Sequence, residues 1–309
     1  MQYPDRFSNL SLMAIPLDER SCVFRNEFLL ADNLDEAGSA VDLTADPGAK
    51  PFITSPYPFK IQFWMAMLCL GGRMCVQLNL FEYELGENDV LIIEEGSIGQ
   101  VRSISADCRL VVIASSSPHF VPEASTREAI SIRHLLAASP LMRLSPADVE
   151  ETLGLYRLMR RKIQQSGYRY TREALRGYMQ VLFCNCCQLA SAHAEAPQAA
   201  AGGRQEELFG RFMELLKEHY TRERSIAFYA GKLCITPKYL SQSVCHASGR
   251  RAGEWIRDYV ILEAKALLKS RKYTVQQVSE MLHFPNQSFF GAYFRKSAGC
   301  SPRAYQMHG

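Results

Sequence analysis

Three cysteines crowd into four residues at Cys184-Asn185-Cys186-Cys187, a density that could hold a metal ion or cycle between thiol and disulfide. Cys184 and Cys187 stand at i, i+3 beside Leu182 and Phe183, so on a helix they share one face. No second group of ligand-type residues is near in sequence. Apolar packing of reduced thiols is therefore the favoured reading, with a thiol switch as the alternative. His119 is the one histidine before residue 126, and a lone imidazole does not make the His-plus-carboxylate set that metal catalysis needs. No catalytic residue, metal or other cofactor is expected, and the chain is read as a non-enzyme. Residues 204–309 hold 17 Lys and Arg against 9 Asp and Glu, a net of +8, whereas residues 1–203 hold 18 against 23, a net of −5. The whole-chain charge of +3 hides this split. A basic third suits a polyanion, and a solvated basic face is the plainer alternative.

The elements that must position these groups follow from length and pattern. A chain of 309 residues is long enough for about two domains at roughly 100–200 residues each. With 47% hydrophobic and 22% charged residues, it has the composition of a folded globular protein. Its longest largely apolar run, residues 61–70, is ten residues, short of the about 20 that cross a membrane. The start, MQYPDRFSNL, carries Pro and Asp where a signal peptide has a basic and then an apolar segment. A cytoplasmic protein with no membrane association and ten reduced cysteines is expected.

To about Ser117 the pattern is β. Asp46-Pro47-Gly48 and Ser55-Pro56-Tyr57-Pro58 punctuate runs at Phe59–Leu70, Met74–Tyr83, Val90–Ile93 and Leu110–Ala114. Gly71-Gly72 predicts a hairpin turn between the first two. Short strands without intervening helices predict a small barrel or sandwich. From about Thr126 the period becomes helical. A helix is predicted over Arg127–Ala138, another from Ser145-Pro146 to about Gln165, and a third from Thr171 through Phe183. The run His193–Gly203 is small, aperiodic and linker-like.

The basic third contains a repeat. Ser225-Ile226, Tyr229-Ala230, Leu233 and Ile235 recur as Thr274-Val275, Val278-Ser279, Leu282 and Phe284. With one residue inserted, Leu240, Val244, Gly249 and Trp255 recur as Phe290, Phe294, Gly299 and Tyr305. Each copy reads as helix, tight turn, helix: Ser225 caps the first helix and Thr236-Pro237 starts the second. In the other copy Thr274 and Gln277 make a capping box, and His283-Phe284-Pro285 forms the turn. Between the copies, Ala252–Lys269 predicts a connecting helix. Such a unit holds one helix where it can enter a major groove about 12 Å wide, and two could address groove faces about 34 Å apart.

The segment Thr274 to Phe290, then Phe294-Arg295-Lys296, Gly299-Cys300-Ser301-Pro302 and Tyr305, resembles the AraC/XylS family of bacterial transcription regulators over about Leu208 to Tyr305. Two departures stand out. Most relatives have Gly at His283, and many carry a hydroxyl and a basic residue at Gly291-Ala292. The resemblance implies that Lys238, Tyr239, Ser241 and Gln242 face the groove in the first unit, and Gln287, Ser288 and Phe289 in the second. Gln suits adenine, Lys guanine, and an aromatic edge a thymine methyl. Arg295 and Lys296 are expected on phosphates, which orient without reading sequence.

The β section, mainly through Gly86…Asp89-Val90-Leu91-Ile92-Ile93…Gly96, is similar to the cupin-type sensory barrel of many members. The resemblance implies an apolar cavity lined by Phe52, Phe63, Trp64, Phe81 and Tyr83, unless these aromatics fill a solid core. The expected fold is thus α+β and multidomain. A cupin-like β-barrel spans residues 1–125, a helical dimerisation segment 126–194, a linker 195–204, and an all-α double helix-turn-helix domain 205–309. The function this implies is sequence-specific binding of double-stranded DNA by a transcription regulator. A small-molecule effector, a homodimer held by the helices after Ser145, and contact with RNA polymerase would go with it. The alternatives are a ligand-independent regulator with the barrel as an oligomerisation platform, and a cupin enzyme fused to a DNA-binding module.

Overall fold

The computed structural model describes residues 9–10, 12, 21–35, 38–43, 55, 57–120, 140–195 and 204–307. The helix expected over Arg127–Ala138, most of the linker, and Phe52 lie outside the described residues. The chain divides into two compact units at His193 and Ala194. Among the described residues no helix is long and apolar enough to cross a membrane.

The first unit is a sandwich of two sheets with helices against one outer face. The five-stranded sheet runs β1 (Asn9–Leu10), β4 (Phe59–Ile61), β9 (Ile98–Ile104), β6 (Met74–Leu78), β7 (Phe81–Leu85). The six-stranded sheet runs β11 (Leu141–Arg143), β8 (Asp89–Ile93), β5 (Trp64–Gly71), β10 (Arg109–Ser115), β3 (Phe28–Asp32), β2 (Cys22–Phe24). All pairings are antiparallel except β1 with β4.

Alternation along β5 shows how the six-stranded sheet is used. Met65, Met67 and Cys69 join Leu91, Ile93, Phe59, Ile61, Met74 and Val76 in the core between the sheets. Trp64, Ala66 and Leu68 point the other way, to a second core with Val90, Ile92, Val111, Ile113 and the helices. A sheet buried on both faces reads as continuous apolar sequence. For that reason the predicted boundaries blur. Phe59–Leu70 is two strands, and Met74–Tyr83 is a β6–β7 hairpin that turns at Asn79-Leu80, with Asn79 at φ 56°. Strands β1, β2, β3, β9 and β11 lie outside the runs expected from the sequence.

Gly71-Gly72 does form a turn, but not the expected hairpin: β5 and β6 belong to different sheets. Gly72 sits at φ 71°, and a Cβ there would lie 2.5 Å from the Cys108 backbone. Only glycine lets the chain pass from one sheet to the other so tightly.

Helix α1 (Pro146–Gln164) starts with the Ser145–Asp148 capping box, with Pro146 in its first turn. Helix α2 (Thr171–Glu195) is longer than its periodicity suggested and carries Cys184, Cys186 and Cys187 within it. Both helices carry apolar stripes that are occupied inside the unit: Val149, Tyr156, Leu175, Met179 and Leu182 are buried against the six-stranded sheet, with Leu153 packed beside them. The outer face of that sheet, which the sequence reading did not anticipate, is their partner. Asp32 on β3 fastens α1, accepting from the Tyr156 hydroxyl and from Arg160 Nη1, each at 2.7 Å. Burial pushes the Cys186 thiol up to about 11 and raises that of Cys187, so both resist forming thiolate at neutral pH.

The second unit is all helix: α3 (Arg204–His219), α4 (Ile226–Lys232), α5 (Pro237–Ser248), α6 (Ala252–Lys269), α7 (Val275–Met281), α8 (Gln287–Ala298) and α9 (Pro302–Met307). The connecting helix α6 buries most of its length, Trp255, Ile256, Tyr259 and Leu268 included. Phe209 meets Trp255 and Phe212 meets Tyr229 with ring centres 5.5 and 5.6 Å apart, which packs α3 on α6 and α4. Ile261, Leu267 and Leu268 of α6 core the other end with Val278, Leu282, Phe290 and Phe294.

Candidate nucleic-acid interface

The two helix-turn-helix units repeat each other at their turns and stops, with different first caps. Ser225 Oγ caps α4 by accepting from the Ala227 N–H, and Thr274 Oγ1 caps α7 by accepting from the Gln277 N–H. At the turns, Ile235 N–H donates to Ala230 C=O and Cys234 N–H to Gly231 C=O, at 3.0 and 3.1 Å. Phe284 N–H to Ser279 C=O and His283 N–H to Glu280 C=O, both 2.9 Å, are the same pair in the second unit. This paired closure is a Schellman motif, which puts the turn residue in the left-handed region. Cys234 and His283 hold φ at 56° and 53°. His283 and Cys234 are thus twin left-handed positions. Ala230 and Ser279, the small residues of the repeat, are buried at these turns. Thr236 and Asn286 cap the second helices through Tyr239 N–H and Phe289 N–H. Gly249 and Gly299 stop them at φ 70° and 78°.

A left-handed backbone costs a non-glycine residue about 1–2 kcal/mol, and the extra chain entropy of glycine costs about 0.5–1 kcal/mol. His283→Gly is therefore expected to stabilise the protein by up to about 1 kcal/mol, read as a higher denaturant midpoint. A lowered midpoint would mean that the Nδ1 contact of His283 with Met281 C=O, at 3.1 Å, outweighs the relief.

Each second helix turns one face inward and one outward. On α5, Leu240, Ser243 and Val244 are buried, while Lys238, Tyr239 and Gln242 are exposed and Ser241 is half-buried. On α8, Phe290 and Phe294 are buried, and Gln287, Ser288, Phe289, Arg295 and Lys296 are exposed. Phe289 is 63% exposed, its ring on the outward face of the helix. The predicted residues thus gather as two outward faces, one on each second helix.

Sequence reasoning missed Arg224. It stands just before the cap of α4, and its guanidinium donates to Leu282 C=O and His283 C=O, both at 2.5 Å. It also lies 4.1 Å from the centre of the Phe284 ring. One side chain of the first unit thereby holds the turn of the second. The repeat gives no sign of it: at the matching place, 49 residues on, the chain has Tyr273.

Of the aromatics expected around a barrel cavity, the four described ones, Phe63, Trp64, Phe81 and Tyr83, do not converge. Phe63 is fully buried in the core between the sheets, where Tyr83 also packs. Phe81 is exposed at 36% on the edge strand β7, and Trp64 faces the helices. Among the described residues, Leu29, Phe59, Phe63, Met67 and Leu91 form a buried cluster between the sheets.

Residues 229–308 match the helix-turn-helix domain family. The matched stretch takes in most of both units and the connecting helix. Within the curated proteins, the uncharacterized HTH-type transcriptional regulator YobQ of Bacillus subtilis is 39% identical over 70 residues, 23% of this chain and 29% of that protein. The match therefore spans under a third of its relative. Solved structures with some likeness include unsaturated fatty acid bound wild-type ToxT from Vibrio cholerae, at 15% identity and TM-score 0.38, covering 91% of this chain and 95% of that one. The C-terminal domain of AraT, a response regulator from Geobacillus stearothermophilus, gives 21% identity and TM-score 0.33, covering 35% and 89%. The helix-turn-helix domain here keeps both units intact.

Proposed function

We propose that the chain is a sequence-specific, double-stranded-DNA-binding transcription regulator of the AraC/XylS type, non-enzymatic and cytoplasmic. Its working division is sensor 1–125, helices 126–194, linker 195–204 and DNA-binding part 205–309. The observation that carries this reading is the duplicated turn geometry, which presents two exposed helices from a segment of net charge +8. In it Lys238, Tyr239, Ser241 and Gln242 read one stretch of groove, and Gln287, Ser288 and Phe289 the next. Arg295 and Lys296 hold phosphates. A small-molecule effector acts through the first unit, and RNA polymerase is the partner through which transcription changes. A homodimer would have to use the outward sides of α1 and α2, where Leu158 and Val181 are exposed, since the inward stripes are covered.

Gln242→Ala is expected to lose about 1–3 kcal/mol of discrimination at one or two bases. Lys296→Ala is expected to weaken all sequences alike. Competition binding on a library of mutated sites measures both. Uniform weakening by both variants would reject the assignment of α5 as a reading helix.

A further inference from the structure

A cavity of about 100 Å³ lies in the first unit between the six-stranded sheet and the helices α1 and α2. Its walls are apolar: Trp64, Ala66, Ile92 and Ile113 from the sheet, Met179 and Leu182 from α2. Its polar lining holds two carboxylates beside the neutral Thr152 and Asn185. Glu94, at the end of β8, and Asp148, in the first turn of α1, both border it, and no Lys, Arg or His does among the described residues. Asp148 commits Oδ2 to Ser145, accepting from its backbone N–H and its hydroxyl. The Glu94 carboxylate makes no hydrogen bond or ion pair with a described residue. The apolar walls call for a hydrocarbon body, and the half-buried Glu94 carboxylate, which has no partner among the described residues, suits a positive head.

We propose that this cavity binds a small organic amine: a compact apolar body bearing one ammonium group, with the ammonium at Glu94 and the body between sheet and helices. Size limits the body. The volume is below the roughly 300–1,000 Å³ of drug-sized pockets and nearer the about 150 Å³ that holds one benzene ring. A single ring or a chain of about six carbons fits. Trp64 adds an indole, the best aromatic neighbour for a cation. As an effector site the cavity rests on the reading that the first unit senses a small molecule; as a binding site it does not. Met179, Leu182, Cys186 and Leu189 line it from α2, the helix that leads to the end of this unit.

The test is calorimetry on the full chain with hexylamine, hexanol and hexanoate, three heads on one body. Hexylamine is expected to bind at least tenfold tighter than hexanoate. Glu94→Gln should bring hexylamine to within threefold of hexanol, and Ala66→Trp, which fills the cavity, should abolish binding of both. If Ala66→Trp does not fold, the Glu94→Gln comparison decides. Hexanoate binding as tightly as hexylamine, a preference for the amine that survives Glu94→Gln, or no binding at all would overturn the proposal. DNA binding is measured on the same samples. A chain that binds DNA but no amine loses this site and keeps the regulator reading, while one that binds amine but no DNA keeps the site and loses the regulator.

Discussion

Residues 204–309 alone are expected to bind duplex DNA with an affinity that collapses as salt rises. The unit has its own core and a net charge of +8. Lys232, Arg251, Lys272, Arg295, Lys296 and Arg303 are exposed on it, enough cations for about six phosphates. Each phosphate neutralised releases condensed counterion and adds about 0.9 to the slope of log K against log salt. Six contacts give a slope near −5 and a loss of about a thousandfold between 50 and 200 mM salt. Fluorescence anisotropy across that range measures it. A flat response would mean that these cations form a solvated face and do not meet DNA, which would remove the charge argument from the proposed function.

The second large effect separates two neighbouring rings. Phe290 is fully buried among Phe284, Phe294, Val278 and Leu282, while Phe289 is 63% exposed. Removing a buried phenylalanine costs about 3–5 kcal/mol, because transfer free energy is lost and a cavity remains. Phe290→Ala is expected to lower the melting temperature of the unit steeply and to weaken DNA binding with it. Phe289→Ala should change stability by at most about 0.5 kcal/mol, yet reduce affinity for the preferred site. Thermal melts beside binding curves separate the outcomes. Comparable loss of stability in both variants would place Phe289 in the core and take it off the reading face.

The second unit was legible in the sequence because its information is local. Caps such as Thr274 with Gln277, stop glycines such as Gly299, and a left-handed turn at His283 each act within a few residues, and the duplication repeats every one of them. The first unit was less legible. On β5, Ala66 and Met67 are both apolar, and nothing in the residue types says that one faces helices and the other a second sheet. That ambiguity hid the crossing at Gly71-Gly72 and made the stripes on α1 and α2 look unpartnered. It also concealed the cavity, whose walls are ordinary core residues until the helices are in place. Arg224 was invisible for a different reason. Its partners are two carbonyl groups 58 and 59 residues away, and carbonyls leave no mark on residue type.

Arg224 has a consequence for the evolution of the sites this protein would recognise. A single guanidinium ties the turn of one unit to the loop of the other, and the shared helix α6 packs on both, so the pair is built as one block. A promoter can change letters beneath such a block and lose contacts one at a time. It cannot gain a letter between the two halves. One inserted base pair swings the far half around the duplex by roughly 34–36°, out of reach of a helix that cannot follow. Target sites should therefore drift by substitution, while insertions and deletions between the halves are removed by selection.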